Sequence, residues 1–359
     1  MKKICLLIAV LATAMVARAF DFSAVTPTGQ TLYFDISSGS TVTLVAPGGS
    51  NWSGYSSPAG RLQIPATVEH DGTTYSVTAI ANNALRQCSD LTAVTVPGTV
   101  KTIGYTAFYR STSLQSVTLG EGVETIGRMA FAACTALDTI ELPSTLQQIG
   151  VSAFNSTAYV ANSANWTGSV LYIAQYVVEV SSVVDSMVTV AEGTLGLGNG
   201  SFYYCHYLPK VELPSTLRFI GDLAFQDCEM LDTVVIRATV PPTLASDAFS
   251  GVPSVTIVVP CGSANVYRSA QYWNSLNIVE DSCPVAVATV EEEALSVAVV
   301  QGGVVVSGAQ GKCLQVCDMM GRTVASTANA SESHMVALPC KGIFLVTVDG
   351  ISRKVAYLK

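Results

Sequence analysis

The sequence of 359 residues has few charged side chains, at 12% of the total, and only three histidines. Lys and Arg together number 18 against 26 for Asp and Glu, so the formal net charge is −8. A chain of this charge repels nucleic-acid phosphate, and no basic cluster in the sequence offsets the repulsion. The 49% hydrophobic content is too high for a disordered chain. We therefore expect no nucleic-acid partner and a folded protein with room for more than one core.

The sequence also lacks a catalytic or metal-binding constellation. His70, His206 and His334 lie in three separate segments, and none has a second ligand at a metal-binding spacing. GLGNG at 196–200 is rich in glycine, but no lysine follows it and no βαβ pattern surrounds it. No G-x-S-x-G nucleophile motif occurs. We expect no enzymatic activity, no cofactor and no metal.

Long apolar runs are missing outside the N-terminus. MKKICLLIAVLATAMVARAF starts with Lys2 and Lys3, continues with an apolar stretch and reaches a small-x-small cleavage pattern at 17–19. This pattern predicts a signal peptide at 1–19, cleaved after Ala19, and an exported protein. Its removal leaves 15 basic and 26 acidic residues, a formal charge of −11. No later segment has the roughly 20 apolar residues that a membrane span needs, so none is expected in the mature chain.

A repeat of 23 residues runs through the middle of the chain. A fixed period of this length with recurring leucines indicates a leucine-rich-repeat solenoid, in which each turn buries its apolar face against its neighbours. The copies are VTAIANNALRQCSDLTAVTVPGT at 77–99, VKTIGYTAFYRSTSLQSVTLGEG at 100–122, VETIGRMAFAACTALDTIELPST at 123–145, LQQIGVSAFNST from 146, TLGLGNGSFYYCHYLPKVELPST at 194–216 and LRFIGDLAFQDCEMLDTVVIRAT at 217–239.

Each repeat position predicts a structural role. SVTL at 116–119, TIEL at 139–142 and KVEL at 210–213 alternate apolar and polar residues, as strands of a half-buried sheet do. An Ala-Phe pair is expected to form a tight turn, with the rings stacked inside the solenoid. The rings are those of Phe108, Phe131, Phe154, Phe202 and Phe225. The glycine of each Ile-Gly or Leu-Gly pair is expected to hold a positive φ at Gly104, Gly127, Gly150, Gly198 and Gly221.

The period breaks twice and ends before residue 300. GSVLYIAQYVVEV at 168–180, followed by SMVTVAEGT, predicts two or three strands, a β-hairpin inserted between turns. A short helix around 263–275 predicts a terminal cap. Short alternating segments after Ala294 predict a small β-sandwich. The mainly β chain then comprises the signal peptide (1–19), an N-terminal β cap (20–76), a solenoid (77–280) with an insertion at about 158–193 and a cap at about 240–280, a linker (281–293) and the sandwich (294–359).

Nine cysteines remain after export, where disulfides are allowed. One repeat slot holds four of them, which predicts buried thiols that behave as small apolar groups: Cys88, Cys134, Cys205 and Cys228. Cys261 and Cys283 flank the cap helix and are disulfide candidates. In the last domain, Cys313 or Cys317 is expected to pair with Cys340.

Solenoids bind ligands through the exposed residues of their sheet. Alternation turns a mild, Thr- and Ser-rich strip outward, and tyrosines near the turns are expected to be partly exposed. The candidate ligand-binding residues are Ser116, Thr118, Thr139, Glu141, Lys210, Glu212, Thr233, Tyr203, Tyr204 and Tyr207.

The repeats resemble the BspA-like leucine-rich-repeat family, whose pattern is similar to L-x-x-V-x-L-P-x-x-(L/V)-x-x-I-G-x-x-A-F-x-x-C, over roughly 77–280. The last 65 or so residues resemble a type IX secretion sorting domain, through VCDMMGRTV at 316–324 and GIFLVTV at 342–348. The resemblance implies a secreted or cell-surface protein that adheres to host matrix proteins or to other microbes. It also implies that the tail is a secretion address, cleaved or attached to the surface.

Three functions follow from these patterns. The leading hypothesis is a non-enzymatic secreted or surface protein that binds a protein or glycan ligand. The alternatives are a structural scaffold within a surface assembly and, far behind, an enzyme with an unrecognised site.

Overall fold

The structure is a computed structural model that describes residues 20–282, 296–331, 333–348 and 351–357. The predicted signal peptide, Cys283 and nearly all of the predicted linker lie outside the described residues. The chain divides into two compact units, Met1–Cys283 and Pro284–Lys359. Each is described by itself.

A β cap covers the start of the solenoid. The first three strands of the cap pair antiparallel with one another. The sixth and last strand of the cap runs parallel to the third strand and to the first short strand that follows in the solenoid, so it joins the cap to the repeats. Trp52 is buried, and its indole N–H donates to Ala84 O at 2.9 Å, which fixes the cap against the first turn. The strands are β1 (Phe22–Val25), β2 (Thr31–Ser38), β3 (Thr41–Val45), β4 (Gly60–Gln63), β5 (Thr67–His70) and β6 (Thr73–Ile80).

The first half of the solenoid has two parallel sheets, each of which takes one strand from every repeat. One sheet has the order β4-β7-β9-β11 and the other continues β6-β8-β10-β12. Val117 and Leu119 are buried while Ser116 and Thr118 are half-buried on the other face, as the alternation predicts. The strands are β7 (Leu91–Val96), β8 (Thr102–Ile103), β9 (Ser116–Leu119), β10 (Thr125–Ile126), β11 (Thr139–Glu141) and β12 (Gln148–Ile149).

The predicted column of phenylalanine rings is confirmed. Phe108 and Phe131 stack with ring centroids 4.8 Å apart, and Phe131 and Phe154 follow at 5.4 Å. In the second half, Phe225 lies 4.8 Å from Phe202 and 5.0 Å from Phe249. Each buried ring stabilises the stack by roughly 1.5–3 kcal/mol.

The turns that carry these rings are successive β-turns linked by backbone hydrogen bonds to the next repeat. Phe108 N–H donates to Ala130 O at 2.7 Å, and Arg110 N–H donates to Ala132 O at 3.0 Å. The residue two positions after the ring is left-handed, for example Arg110 at φ 60° and Ala133 at φ 58°. The repeats therefore form a third ladder at the turns, beside the two sheets.

The prediction of positive φ at the repeat glycines is wrong. Gly104, Gly127, Gly150, Gly198 and Gly221 are all outside the left-handed region. At four of these positions a neighbouring backbone passes so close that a side chain has no space; a Cβ on Gly127, for example, would lie 2.6 Å from the carbonyl carbon of Gly104. Glycine is needed there because stacked turns approach closely.

An antiparallel insertion interrupts the repeats after the third ring, Phe154. It begins with the short helix α1 (Ala158–Ala161) and a 3₁₀ turn at Ser163–Asn165. Three strands follow, within the predicted two or three: β13 (Trp166–Thr167), β14 (Val170–Ile173) and β15 (Tyr176–Val180).

The second half resumes two parallel sheets, β16-β18-β20-β22-β23 and, from the insertion, β15-β17-β19-β21. Its end is closed by α2 (Ala264–Ser269) and a 3₁₀ turn at Trp273–Ser275, where the predicted helix lies. Tyr267 and Trp273 are buried there and hydrogen-bond to backbone carbonyls. The strands are β16 (Val188–Thr189), β17 (Gly196–Leu197), β18 (Lys210–Leu213), β19 (Phe219–Ile220), β20 (Thr233–Ile236), β21 (Thr243–Leu244), β22 (Thr256–Val259) and β23 (Asn277–Glu280).

The second unit is a small β structure of two antiparallel sheets, β24-β25-β28 and β27-β26-β29-β30, around its own apolar core. Cys340 lies in the turn before β29 and is a free thiol, so the predicted disulfide to Cys313 or Cys317 does not form. The strands are β24 (Ser296–Val300), β25 (Gly303–Ser307), β26 (Leu314–Asp318), β27 (Thr323–Thr327), β28 (Ser333–Ala337), β29 (Gly342–Val348) and β30 (Ile351–Tyr357).

Candidate functional site

The polar strip of the first half lies on β9 and β11. Ser116 is paired with Thr139 and Thr118 with Glu141 in the parallel register. Thr118 Oγ1 donates to Glu141 Oε2 at 3.0 Å. The structure brings these four predicted residues together on one sheet.

The strip of the second half belongs to a different sheet. Lys210 and Thr233 are register partners on β18 and β20, and Glu212 lies two residues further along. Glu212 is already engaged, because Arg237 Nη2 lies 2.6 Å from its Oε1. Arg237 also contacts Asp281 at 2.8 Å, and this bond holds the Asp281 pKa below its usual value. The predicted residues therefore form two separate patches, and the structure adds an ion-pair bridge to the second.

The three predicted tyrosines of the second half gather on the turn side. Tyr203, Tyr204 and Tyr207 are exposed by 37%, 43% and 62%. The first two rings lie 4.0 Å apart, and the hydrogen bond that the Tyr203 hydroxyl donates to Tyr204 raises the Tyr203 pKa. His206 joins them, with its ring 5.3 Å from that of Tyr204 and its Nδ1 3.6 Å from Glu229 Oε1. These four rings are named the tyrosine cluster below.

The first half has a different turn surface. The Arg86 and Arg110 guanidinium carbons lie 5.5 and 5.3 Å from the Tyr109 ring centroid, within cation–π range. Tyr105, four residues before Tyr109 in the same repeat, is 46% exposed. The sequence analysis missed the arginine contacts because the two side chains come from different repeats.

A cavity of about 650 Å³ opens where the two halves of the solenoid meet, and we call it the joint cleft. One wall runs from Ser144 to Gln148, and the other from Arg218 to Asp222 with Asn199. Gln148 Nε2 and Asn199 Nδ2 both donate to Asp222 Oδ2 at 3.0 Å. Sequence analysis did not find this cleft, since Gln148 and Asp222 are 74 residues apart. One signal was present: Asn199 and Asp222 are polar residues in the slot directly after the repeat glycine.

The cysteine slot of the repeats is part of the core, as predicted. Cys88, Cys134, Cys205 and Cys228 are free and buried. Burial raises the pKa of Cys88 and of Cys134 to about 12, and Cys134 Sγ donates to Phe108 O at 3.1 Å. Cys134 is therefore a protonated packing group at neutral pH. Cys261 is disulfide-bonded; because Cys283 lies outside the described residues, their pairing stays a prediction.

The described residues hold neither a candidate metal site nor a membrane-spanning helix. They contain no group of three or more His, Cys, Asp or Glu side chains that could hold a metal ion. Within the same ranges, no helix is long and apolar enough to cross a membrane.

Comparison with known proteins gives two family matches. Residues 72–184 and 186–298 match the BspA-type leucine-rich-repeat region, and residues 284–356 match a domain of unknown function, DUF6383. No curated protein matches the chain.

Several solved structures are similar to parts of the chain. A leucine-rich repeat protein from Bacteroides capillosus is 32% identical over 36% of this chain and 88% of its own, with a TM-score of 0.32. A leucine-rich cell surface protein from Faecalibacterium prausnitzii is 19% identical over 73% and 95%, with a TM-score of 0.26. The T. pallidum leucine-rich repeat protein is 20% identical over 74% and 96%, with a TM-score of 0.34.

Proposed function

Because the chain belongs to the BspA-type leucine-rich-repeat family, we propose that it is a non-enzymatic binding protein of the cell surface. Its ligand is a protein, such as a host matrix protein or a protein on another cell. The observation that carries this proposal is the tyrosine cluster, which places exposed aromatic rings on a rigid repeat.

The tyrosine cluster has the features of a protein-binding anchor. Tyrosines supply large contact areas at low conformational cost and dominate the binding energy of many interfaces. Tyr204 sits at a left-handed backbone position, φ 60°, and its N–H donates to Gln226 O at 3.0 Å in the next repeat. The backbone beneath the rings is therefore fixed before a ligand arrives, which lowers the entropic cost of binding.

Export and attachment belong to the same proposal. The N-terminal sequence has the pattern of a cleaved signal peptide, and the second unit resembles a type IX secretion sorting domain. In this proposal the second unit is the address that directs the protein to the outer surface. It is then either removed or used as the anchor.

Surface plasmon resonance tests the binding function. The purified protein is passed over immobilised fibronectin, collagen and mucin, together with a variant in which Tyr203, Tyr204 and Tyr207 are all changed to alanine. We expect saturable binding to at least one of them and a loss of about tenfold or more in the variant. The control, Tyr105→Ala, removes an exposed tyrosine from the other half and keeps the wild-type affinity.

Two results contradict the proposal. One is the absence of saturable binding to all three surfaces; the other is binding that the triple variant leaves unchanged. Light scattering of the same samples tests the alternative role as a structural scaffold, because a scaffold subunit forms larger assemblies as its concentration rises.

A further inference from the structure

The joint cleft exists because the insertion separates the two halves of the solenoid. The halves are joined by hydrogen bonds on this side, since Asn199 N–H donates to Ile149 O at 2.8 Å and Gln148 Nε2 donates to Asp222 Oδ2 at 3.0 Å. Residues of β12 line the cavity on one side and residues of β19 and β21 line it on the other, so both walls are built from repeat residues. The cleft differs in this way from the continuous surface of an uninterrupted solenoid.

Asp222 is the centre of the polar groups in the cleft. Its Oδ2 accepts both side-chain amides, from Gln148 and Asn199, and its N–H donates to Asn199 Oδ1 at 3.0 Å. The second carboxylate oxygen, Oδ1, and the Gln148 Oε1 have no hydrogen-bond partner among the described residues and can each accept a hydrogen bond. The network thus holds the carboxylate in place and leaves two acceptors for a ligand.

Donors and charge come from the neighbouring side chains. The Arg218 guanidinium is exposed and has no ion-pair or hydrogen-bond partner within the described part of the chain, so its donors are available. Glu124 on the opposite wall is neutralised by Lys101, whose Nζ lies 3.1 Å from Glu124 Oε1. The remaining charges, on Arg218 and Asp222, balance, and the cleft therefore favours a ligand without net charge.

The lining also contains apolar groups. Phe219, Leu146 and Leu244 contribute to the cavity surface while they are almost fully buried. Gly196 makes space for the Phe219 ring, because a Cβ there would overlap it. Apolar groups beside fixed donors and acceptors suit a sugar ring, which has C–H groups on its faces and hydroxyls at its edge. Each hydroxyl both donates and accepts, as the mixed lining requires.

We propose that the joint cleft binds a hexose unit of a neutral oligosaccharide. The proposal rests on the proposed function as a recognition protein and gives that function a second ligand class, at a site separate from the tyrosine cluster. Asp222 and Gln148 accept hydrogen bonds from the hydroxyls, Arg218 donates to them, and the apolar lining contacts the ring.

Calorimetric titration of the purified protein with lactose, cellobiose and maltose tests this site, with glucuronic acid as a charged probe. Asp222→Asn keeps the shape and removes the charged acceptor, so we expect affinity for the bound disaccharide to fall about tenfold or more. Arg218→Gln changes an exposed side chain and is expected to weaken binding in the same direction. Asp232→Asn, the same chemical change at an exposed position outside the cleft, is the matched control and keeps the wild-type affinity.

Any of three results would refute the site. These are the absence of saturable binding for all three disaccharides, equal affinity in Asp222→Asn and wild type, and binding of glucuronic acid alone. Failure of the proposed function would be a separate result, seen as no protein binding at the tyrosine cluster. The triple tyrosine variant should still bind the disaccharide with the wild-type affinity, so the two proposals can fail independently.

Discussion

At the scale of single residues, the glycine of each Ile-Gly or Leu-Gly pair and the left-handed residues occupy different positions of the repeat. Thr106, Met129 and Arg110 have φ of 50°, 54° and 60°, although each carries an ordinary side chain. Such conformations cost on the order of 1–3 kcal/mol each when nothing compensates. Here each of these three residues donates its N–H to the next turn, as Met129 does to Val151 O at 3.1 Å. The ladder at the turns offsets the strain.

A repeat glycine could be required for a positive φ or for the close approach of the next turn, and substitution of Gly127 distinguishes these two explanations. Its φ is not left-handed, and a Cβ would lie 2.6 Å from Gly104 C and 2.7 Å from Tyr105 N. Gly127→Ala and Gly127→Asn should both lower the free energy of unfolding, by roughly 1–3 kcal/mol from steric strain. Asn would rescue a site that needed only a positive φ.

Urea denaturation followed by circular dichroism measures these changes. Gly29 is the control, since it has φ +80° and open space around its Cβ position. Gly29→Asn should cost only a few tenths of a kcal/mol. Stability equal to wild type in Gly127→Asn would disprove the close-approach explanation.

At the scale of structural elements, the loops after the strands carry a repeated polar clasp. Glu121 accepts from Ser144 N and Oγ at 3.1 Å each, and Glu192 accepts from Ser215 N at 3.2 Å and Oγ at 2.6 Å. In both pairs the partners are 23 residues apart. The clasp ties the loop of one repeat to the loop of the next where the strands have ended.

The clasp predicts a pH-dependent contribution to stability. The hydrogen bond from the Ser215 hydroxyl, with that from its backbone N–H, lowers the Glu192 pKa from 4.5. A carboxyl group whose pKa is lower in the folded than in the unfolded protein stabilises the fold at pH values above its unfolded pKa. This stabilisation is lost as the pH falls through the folded pKa. Ser215→Ala should therefore destabilise the protein near pH 7 and have less effect below about pH 4.

Thermal unfolding at several pH values checks this, with Glu192→Gln as the reference background. Without a titrating carboxyl, the effect of Ser215→Ala should no longer vary with pH across this window. A constant effect of Ser215→Ala in the wild-type background would rule out the link to Glu192.

At the scale of the whole solenoid unit, one buried tyrosine connects the two halves. Tyr176 is fully buried, its hydroxyl donates to Pro143 O at 2.8 Å, and its ring lies 6.0 Å from that of Phe219. Pro143 follows β11 in the first half, and Phe219 belongs to β19 in the second. Solenoid stability is a sum of neighbouring interfaces, so this contact decides whether the halves unfold together.

Removing that contact should uncouple them. Tyr176→Ala is expected to cost about 3–5 kcal/mol and to let the halves lose hydrogen-exchange protection at different urea concentrations. Tyr176→Phe, which keeps the ring, should cost about 1 kcal/mol and leave one common transition. Mass spectrometry of peptides from residues 84–154 and 197–259 follows each half. A common transition in Tyr176→Ala would show that other contacts hold the joint.

The repeat pattern predicts much of what depends on one turn and its neighbour, and little beyond. Strand alternation at Val117, the stacked rings at Phe131 and the buried thiol of Cys134 all follow from the period. The joint cleft does not, because Gln148 meets Asp222 only after an aperiodic insertion has set the spacing of the halves. The wrong prediction for the repeat glycines has a related cause. A glycine in the sequence indicates a need either for space or for a positive φ, and only the contacts with the neighbouring turn distinguish the two.

The common offset of 23 residues has a consequence for how such a chain can change length. Ser144 with Glu121, Thr145 with Gly122 and Tyr105 with Asn82 all meet across this interval. Duplicating or deleting a whole unit leaves every such partner in place, whereas any other change in length must be looped out of the stack, as the antiparallel strands β13 and β14 are. Gain or loss of whole units away from the joint would therefore change the length of the solenoid and leave the joint cleft and the tyrosine cluster, which share the repeat 194–216, as they are.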